Sequence, residues 1–77
     1  MQNFLLCDIK KGESFVIKKL ETKGILRKRL LDLGFVPETK IKCVRTSPFG
    51  DPKAYSVRGT VIALRNKDAS SVLGVKI

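Results

Sequence analysis

The side chains that could do chemistry in this chain are few, and their types decide most of what it can be. There are two thiols, Cys7 and Cys43, seven carboxylates and no histidine. Imidazole is the usual general base near neutral pH and the commonest transition-metal ligand. Without it neither thiol has a partner to activate it as a nucleophile, and no Ser-His-Asp or Cys-His set can be assembled. The cysteines show no CxxC spacing, and Gly50 lies in no GxxxxGK[ST] phosphate loop. Asp8 and Glu13 are the acids nearest each other in sequence, yet they flank the turn at Gly12 and do not make a ferrous site. The expectation is a chain that is not an enzyme and holds no cofactor or metal of its own.

What remains is recognition chemistry, concentrated in Ser47-Pro48-Phe49-Gly50-Asp51-Pro52-Lys53-Ala54-Tyr55. Two prolines around a glycine forbid a helix or a central strand, so this stretch is a loop. Pro48, Phe49, Asp51 and Tyr55 are the residues a contact surface would use. The same types also pin loops, with Phe49 tucked onto the core and Asp51 bonded to nearby backbone N–H groups. A second candidate patch is Arg27-Lys28-Arg29, the tightest basic cluster, for which a solvated helix face is the plainer account.

At 77 residues, 43% hydrophobic and 30% charged, the composition fits one small domain over 1–77 with most apolar residues used in packing. No apolar run approaches the roughly 18 residues that span a bilayer. Phe4-Leu5-Leu6 is too short for a signal peptide, which predicts a cytoplasmic chain with reduced thiols. The formal charge of +9 suits nucleic acid, an anionic membrane surface or an acidic protein partner. Aromatics at 6% leave no interleaved row for base stacking, which weakens the nucleic-acid reading.

The elements that must position these residues follow from spacing. Ser14 to Leu20 is a strand, preceded by a turn at Lys10-Lys11-Gly12-Glu13. Ile25 to Leu33 is a helix with Leu26, Leu30 and Leu33 as its apolar stripe, ended by Gly34 and kept ended by Pro37. Thr39, Ile41 and Cys43 alternate with lysines, placing Cys43 inward on a strand. Ala54–Arg58 and Val61–Arg65 flank Gly59-Thr60 as a type II′ hairpin. Tyr55 and Val57 share a face, and Val61-Ile62-Ala63-Leu64 reads as a central strand. Asn66 caps a helical turn ended by Gly74, and Val75-Lys76-Ile77 is a last strand. About five strands, one inserted α-helix and a short C-terminal helical turn predict a mainly β, partly closed barrel of the SH3 type.

This pattern resembles the ferrous iron transport protein A family (FeoA). The resemblance rests chiefly on the run Leu31-Asp32-Leu33-Gly34-Phe35-Val36-Pro37 and the run Pro48-Phe49-Gly50-Asp51-Pro52. Leu6, Asp8, Ile9, Gly12 and Glu13, Leu26 to Leu30, Val44-Arg45, Val57-Arg58-Gly59 and Ala63-Leu64-Arg65 extend it. It implies a small accessory or regulatory protein of bacterial ferrous iron uptake. The implied partner is the membrane permease and its cytosolic GTPase domain, which would recruit the chain to the inner face of the membrane. The alternative is a basic SH3-like nucleic-acid-binding or transcription-regulator-type domain. One position departs from the family pattern: Glu38 stands where glycine usually follows the proline, which predicts either a type I turn there or a cost for a type II turn.

Overall fold

Period-two alternation of large apolar side chains builds a single curled sheet. The computed structural model describes residues 3–77. Its strands are β1 (Phe4–Leu5), β2 (Ser14–Leu20), β3 (Lys40–Thr46), β4 (Lys53–Val57), β5 (Thr60–Leu64) and β6 (Val72–Lys76). A 3-10 turn at Leu6–Asp8 follows β1, α1 (Gly24–Leu33) lies between β2 and β3, and α2 (Asn66–Ala69) lies between β5 and β6. All pairs are antiparallel, in the order β1-β6-β2-β3-β4-β5. Register shifts between Ile17 and Lys19 and between Cys43 and Arg45 bend β2 and β3 and help the sheet curl into an SH3-like, partly closed barrel.

The inner face carries Phe15 and Ile17, Ile41 and Cys43, and Tyr55 and Val57, all buried together with Leu6, Ile9, Leu30, Phe35 and Val72. The Lys53 ammonium donates to the carbonyls of Cys7 and Ile9, tying the start of β4 to the segment after β1. At Gly74 the strands approach so closely that a Cβ would collide with the Val16 carbonyl oxygen.

Helix α1 ends as the sequence predicts. Gly34 takes the left-handed conformation at φ 106°, and the Phe35 N–H reaches back to the Leu30 carbonyl at 2.9 Å. Its rotation differs from expectation. Leu26, Leu30 and Leu31 face the core, while Leu33 is 38% exposed. The core-facing side therefore lies toward Leu31, which lifts Leu33 outward and turns Arg27 toward the sheet.

Three other expectations are corrected, and one open alternative is decided. The hairpin turn is Arg58-Gly59, with φ of 51° and 81° and Val57 opposite Thr60, so it is type I′, not a type II′ turn at Gly59-Thr60. Strand β5 is an edge strand, paired among the described residues only with β4, not a central one, because the barrel does not close there. Gly74 lies within β6 and does not end the helical turn, which stops at Ala69. The alternative decided is the turn after Pro37: Glu38 keeps the left-handed φ of 71°, so the geometry is type II, the second of the two outcomes expected there. The corner is tied down by the Glu38 N–H bonding the Ile17 carbonyl at 2.7 Å and by an ion pair with Lys18 at 2.9 Å.

Candidate functional site: a pinned loop and an outward helix face

The loop between β3 and β4 is held at its base and presents its tip. The Ser47 N–H bonds the Pro52 carbonyl at 3.2 Å and the Gly50 N–H bonds the Ser47 carbonyl at 2.9 Å. The peptide between Asp51 and Pro52 is cis. Asp51 Oδ1 accepts the Asn66 backbone N–H at 2.9 Å, and Asn66 Nδ2 donates to the Gly50 carbonyl at 3.0 Å. Asp51 thus caps the first residue of α2, a role the sequence pattern gave to Asn66.

The anchored loop leaves Pro48 exposed and Phe49 96% exposed. Phe49 does not tuck onto the core. Asp51 does bond a backbone N–H as expected, and Asn66 supplies the second tie. Tyr55 has to be removed from the contact surface, since it is wholly buried on the inner face of β4. The reason is register: Tyr55 alternates with Ala54 and Ser56 on the strand and lies opposite Cys43 and Ile62. Burial pushes the Tyr55 hydroxyl far above its ordinary range, and burial likewise pushes the Cys7 and Cys43 thiols up. Both cysteines are free thiols, with Cys43 in the core.

The basic cluster on α1 divides. Arg27 Nη1 donates to the Leu20 carbonyl at 3.0 Å and belongs to the packing of the helix on β2. Lys28 and Arg29 remain outward, where they line a shallow groove of about 270 Å³ with Ile25, Asp32 and Leu33. Ile25 is 83% exposed. Ile25 and Leu33 were missed as surface residues, although positions 25, 28, 29, 32 and 33 share a helical spacing that marks a second face. No hydrogen bond or ion pair among the described residues joins this face to the 47–55 loop. The loop and the helix are two separate patches.

Among the described residues no three Cys, Asp or Glu side chains converge to hold a metal ion, and no helix is long and apolar enough to cross a membrane. The arrangement can offer shape, one naked aromatic and positive charge.

Comparison with known proteins matches this geometry to a family. A model of the FeoA domain matches residues 4–76. Over 67 residues, 87% of this chain, the sequence is 34% identical to the Fe(2+) transport protein A/Fe(2+) transporter FeoB fusion protein of Porphyromonas gingivalis W83. The match spans only 8% of that relative's length. FeoA of Stenotrophomonas maltophilia, solved in complex with zinc and described as a procaryotic SH3 domain protein, superposes with a TM-score of 0.78 at 28% identity, covering 94% of this chain and 89% of that one. A manganese-dependent transcriptional repressor in complex with manganese superposes with a TM-score of 0.86 over 100% of this chain and 38% of its own. At 10% identity that likeness is one of fold alone. On the family model and the fused relative together, the chain belongs to the FeoA domain family, which is associated with ferrous iron transport.

Proposed function

We propose that this FeoA domain is a cytoplasmic accessory protein of ferrous iron uptake that acts by docking on the cytosolic GTPase region of the ferrous iron permease. The observation that carries the reading is Phe49, 96% exposed at the tip of a loop whose base is fixed by hydrogen bonds. An aromatic held in water on an ordered loop is pre-organised to bury itself in a partner, and little ordering entropy opposes it. The fused relative, whose name joins transport protein A to transporter FeoB in one polypeptide, supports the choice of partner. Pro48 flanks the aromatic, Asp51 holds it in place, and Lys28 and Arg29 with Ile25 and Leu33 offer a second contact.

Docking biases the permease only by the difference in affinity of its states for this domain. The rival reading, a nucleic-acid-binding barrel, has little to work with. Of the aromatics in the described residues only Phe49 is exposed, and one ring makes no stacking platform.

The test is a calorimetric titration of the domain against the isolated, folded cytosolic GTPase domain of the same organism's permease, without nucleotide and with GDP or a GTP analogue. Saturable binding whose affinity depends on the nucleotide is the expected result. Silence in every nucleotide state would remove the GTPase region as the docking site.

A further inference from the structure

Strand β5 has a feature that neither the loop nor the helix face uses. Val57 and Thr60 close the type I′ turn as a hydrogen-bonded pair, so Thr60, Ile62 and Leu64 direct their backbone N–H and C=O groups at β4. The N–H and C=O groups of Val61 and Ala63 therefore point away from the sheet. No other backbone or side-chain group among the described residues bonds them. Val61 is 58% exposed and Ala63 is exposed.

Edge strands normally carry a device against further pairing, such as a lysine, a proline or a bulge. Thr60-Val61-Ile62-Ala63-Leu64 contains no charge and no proline, and its register with β4 is unbroken. The opposite margin of the sheet, β1, is only 2 residues long. On the outer face of the β4–β5 hairpin, Ala54 and Ala63 lie opposite each other. With Arg45, Ser47 and Pro52 they line a shallow groove of about 200 Å³. A large apolar side chain on an added strand, opposite Ala63, would lean toward that groove.

We infer that the outer edge of β5 is a strand-addition site for an extended segment of a partner protein, apolar at alternate positions and acidic at its ends. The backbone groups of Val61 and Ala63 supply the ladder, and the Ala54–Ala63 groove supplies side-chain selectivity. The acidic ends follow from charge. Arg58 borders the strand on one side and Arg65 and Lys67 on the other, all three exposed, in a chain of net charge +9. The same charges disfavour a second copy of this chain as the occupant. Antiparallel self-pairing about Ile62 would set Arg65 of one copy against the Arg58-Gly59 turn of the other, at both ends of the interface.

The test uses the whole chain, labelled with nitrogen-15, and a synthetic peptide of alternating valines and threonines with glutamates at both ends. A twin peptide with lysine ends is the control. With the acidic peptide at about ten times its Kd, hydrogen exchange at the Val61 and Ala63 amides should slow about tenfold, while Thr60, Ile62 and Leu64 change little. Ala63→Pro removes an outward N–H without touching the β4 ladder, and Val61→Glu adds an edge charge of the same sign as the peptide's. Both should abolish the protection while amide spectra show the fold intact, and the lysine-ended twin should fail to bind. The inference is overturned if the acidic peptide shifts no β5 amide at millimolar concentration, if it shifts another surface, or if the twin binds equally well. Concentration-dependent protection of Val61 and Ala63 without peptide would make the occupant a second copy and overturn the acidic-partner assignment. No permease fragment is involved, so this result is independent of the docking experiment above.

Discussion

Replacing Phe49 with alanine separates a contact residue from a packing residue by magnitude. A phenylalanine side chain offers roughly 200 Å² of surface. At 96% exposure only a few per cent of that is buried in the free domain. At about 25 cal/mol per Å² the folded state loses about 0.2 kcal/mol, which moves Tm by about 1 °C in a domain of this size. If the ring is fully buried in a partner, its removal costs about 2 to 3 kcal/mol, or roughly 30- to 160-fold in Kd. Calorimetric titration against the GTPase domain measures the second number and a thermal melt the first. Tyr55→Ala is the calibration: Tyr55 is completely buried, and truncating such a residue costs about 3 to 5 kcal/mol, lowering Tm by roughly 12 °C or more. A Phe49→Ala variant that melts several degrees lower, or binds as well as the parent, would refute the reasoning.

Three further outcomes are expected. Asp51→Ala removes the acceptor at the start of α2 and should cost about 1 kcal/mol in urea unfolding while also weakening docking, with Asp51→Asn recovering part of both. Gly74→Ala drives a methyl against the Val16 carbonyl and, at 2.7 Å, the Phe15 ring, neither of which can give way, and should cost about 3 kcal/mol by the same assay. Glu13 accepts the Lys10 N–H at 2.6 Å and lies 3.6 Å from Lys76 Nζ, and chiefly that backbone hydrogen bond holds its carboxyl below the ordinary 4.5. A depressed folded pKa contributes stability above the unfolded value and loses it as pH falls through the folded one. Glu13→Gln should therefore flatten the stability–pH curve below about pH 4.5 and leave its slope at neutral pH unchanged.

The barrel was legible because period two is a strong signal where one face is buried: Phe15/Ile17, Ile41/Cys43 and Tyr55/Val57 all point inward. That regularity also gave away Tyr55, whose partnership with Val57 on one face should have outweighed its place beside the loop. Val61-Ile62-Ala63-Leu64 misled for the opposite reason. Apolar residues on both faces are how a central strand reads, and nothing local reports whether a barrel closes. The helix stripe through Leu33 had the right period and the wrong phase, since Arg27 can turn toward the sheet once its guanidinium finds the Leu20 carbonyl. The exposure of Phe49 could not be read from composition, because it depends on Asp51 bonding the Asn66 N–H, a contact across 15 residues of chain. Glu38 was foreseen as a tension, and the turn keeps its shape at the glutamate's expense.

The pairing of β1 with β6 puts Phe4 opposite Gly74, so the chain enters and leaves the domain side by side at one margin of the sheet. A tether attached before Phe4 and one attached after Lys76 start from nearly the same place and need nearly the same length to reach any neighbour. The order in which such a domain is joined to another protein then matters little to its effective concentration there. With β1 and β6 adjacent, a domain of this shape can be carried within a host loop without distorting its sheet.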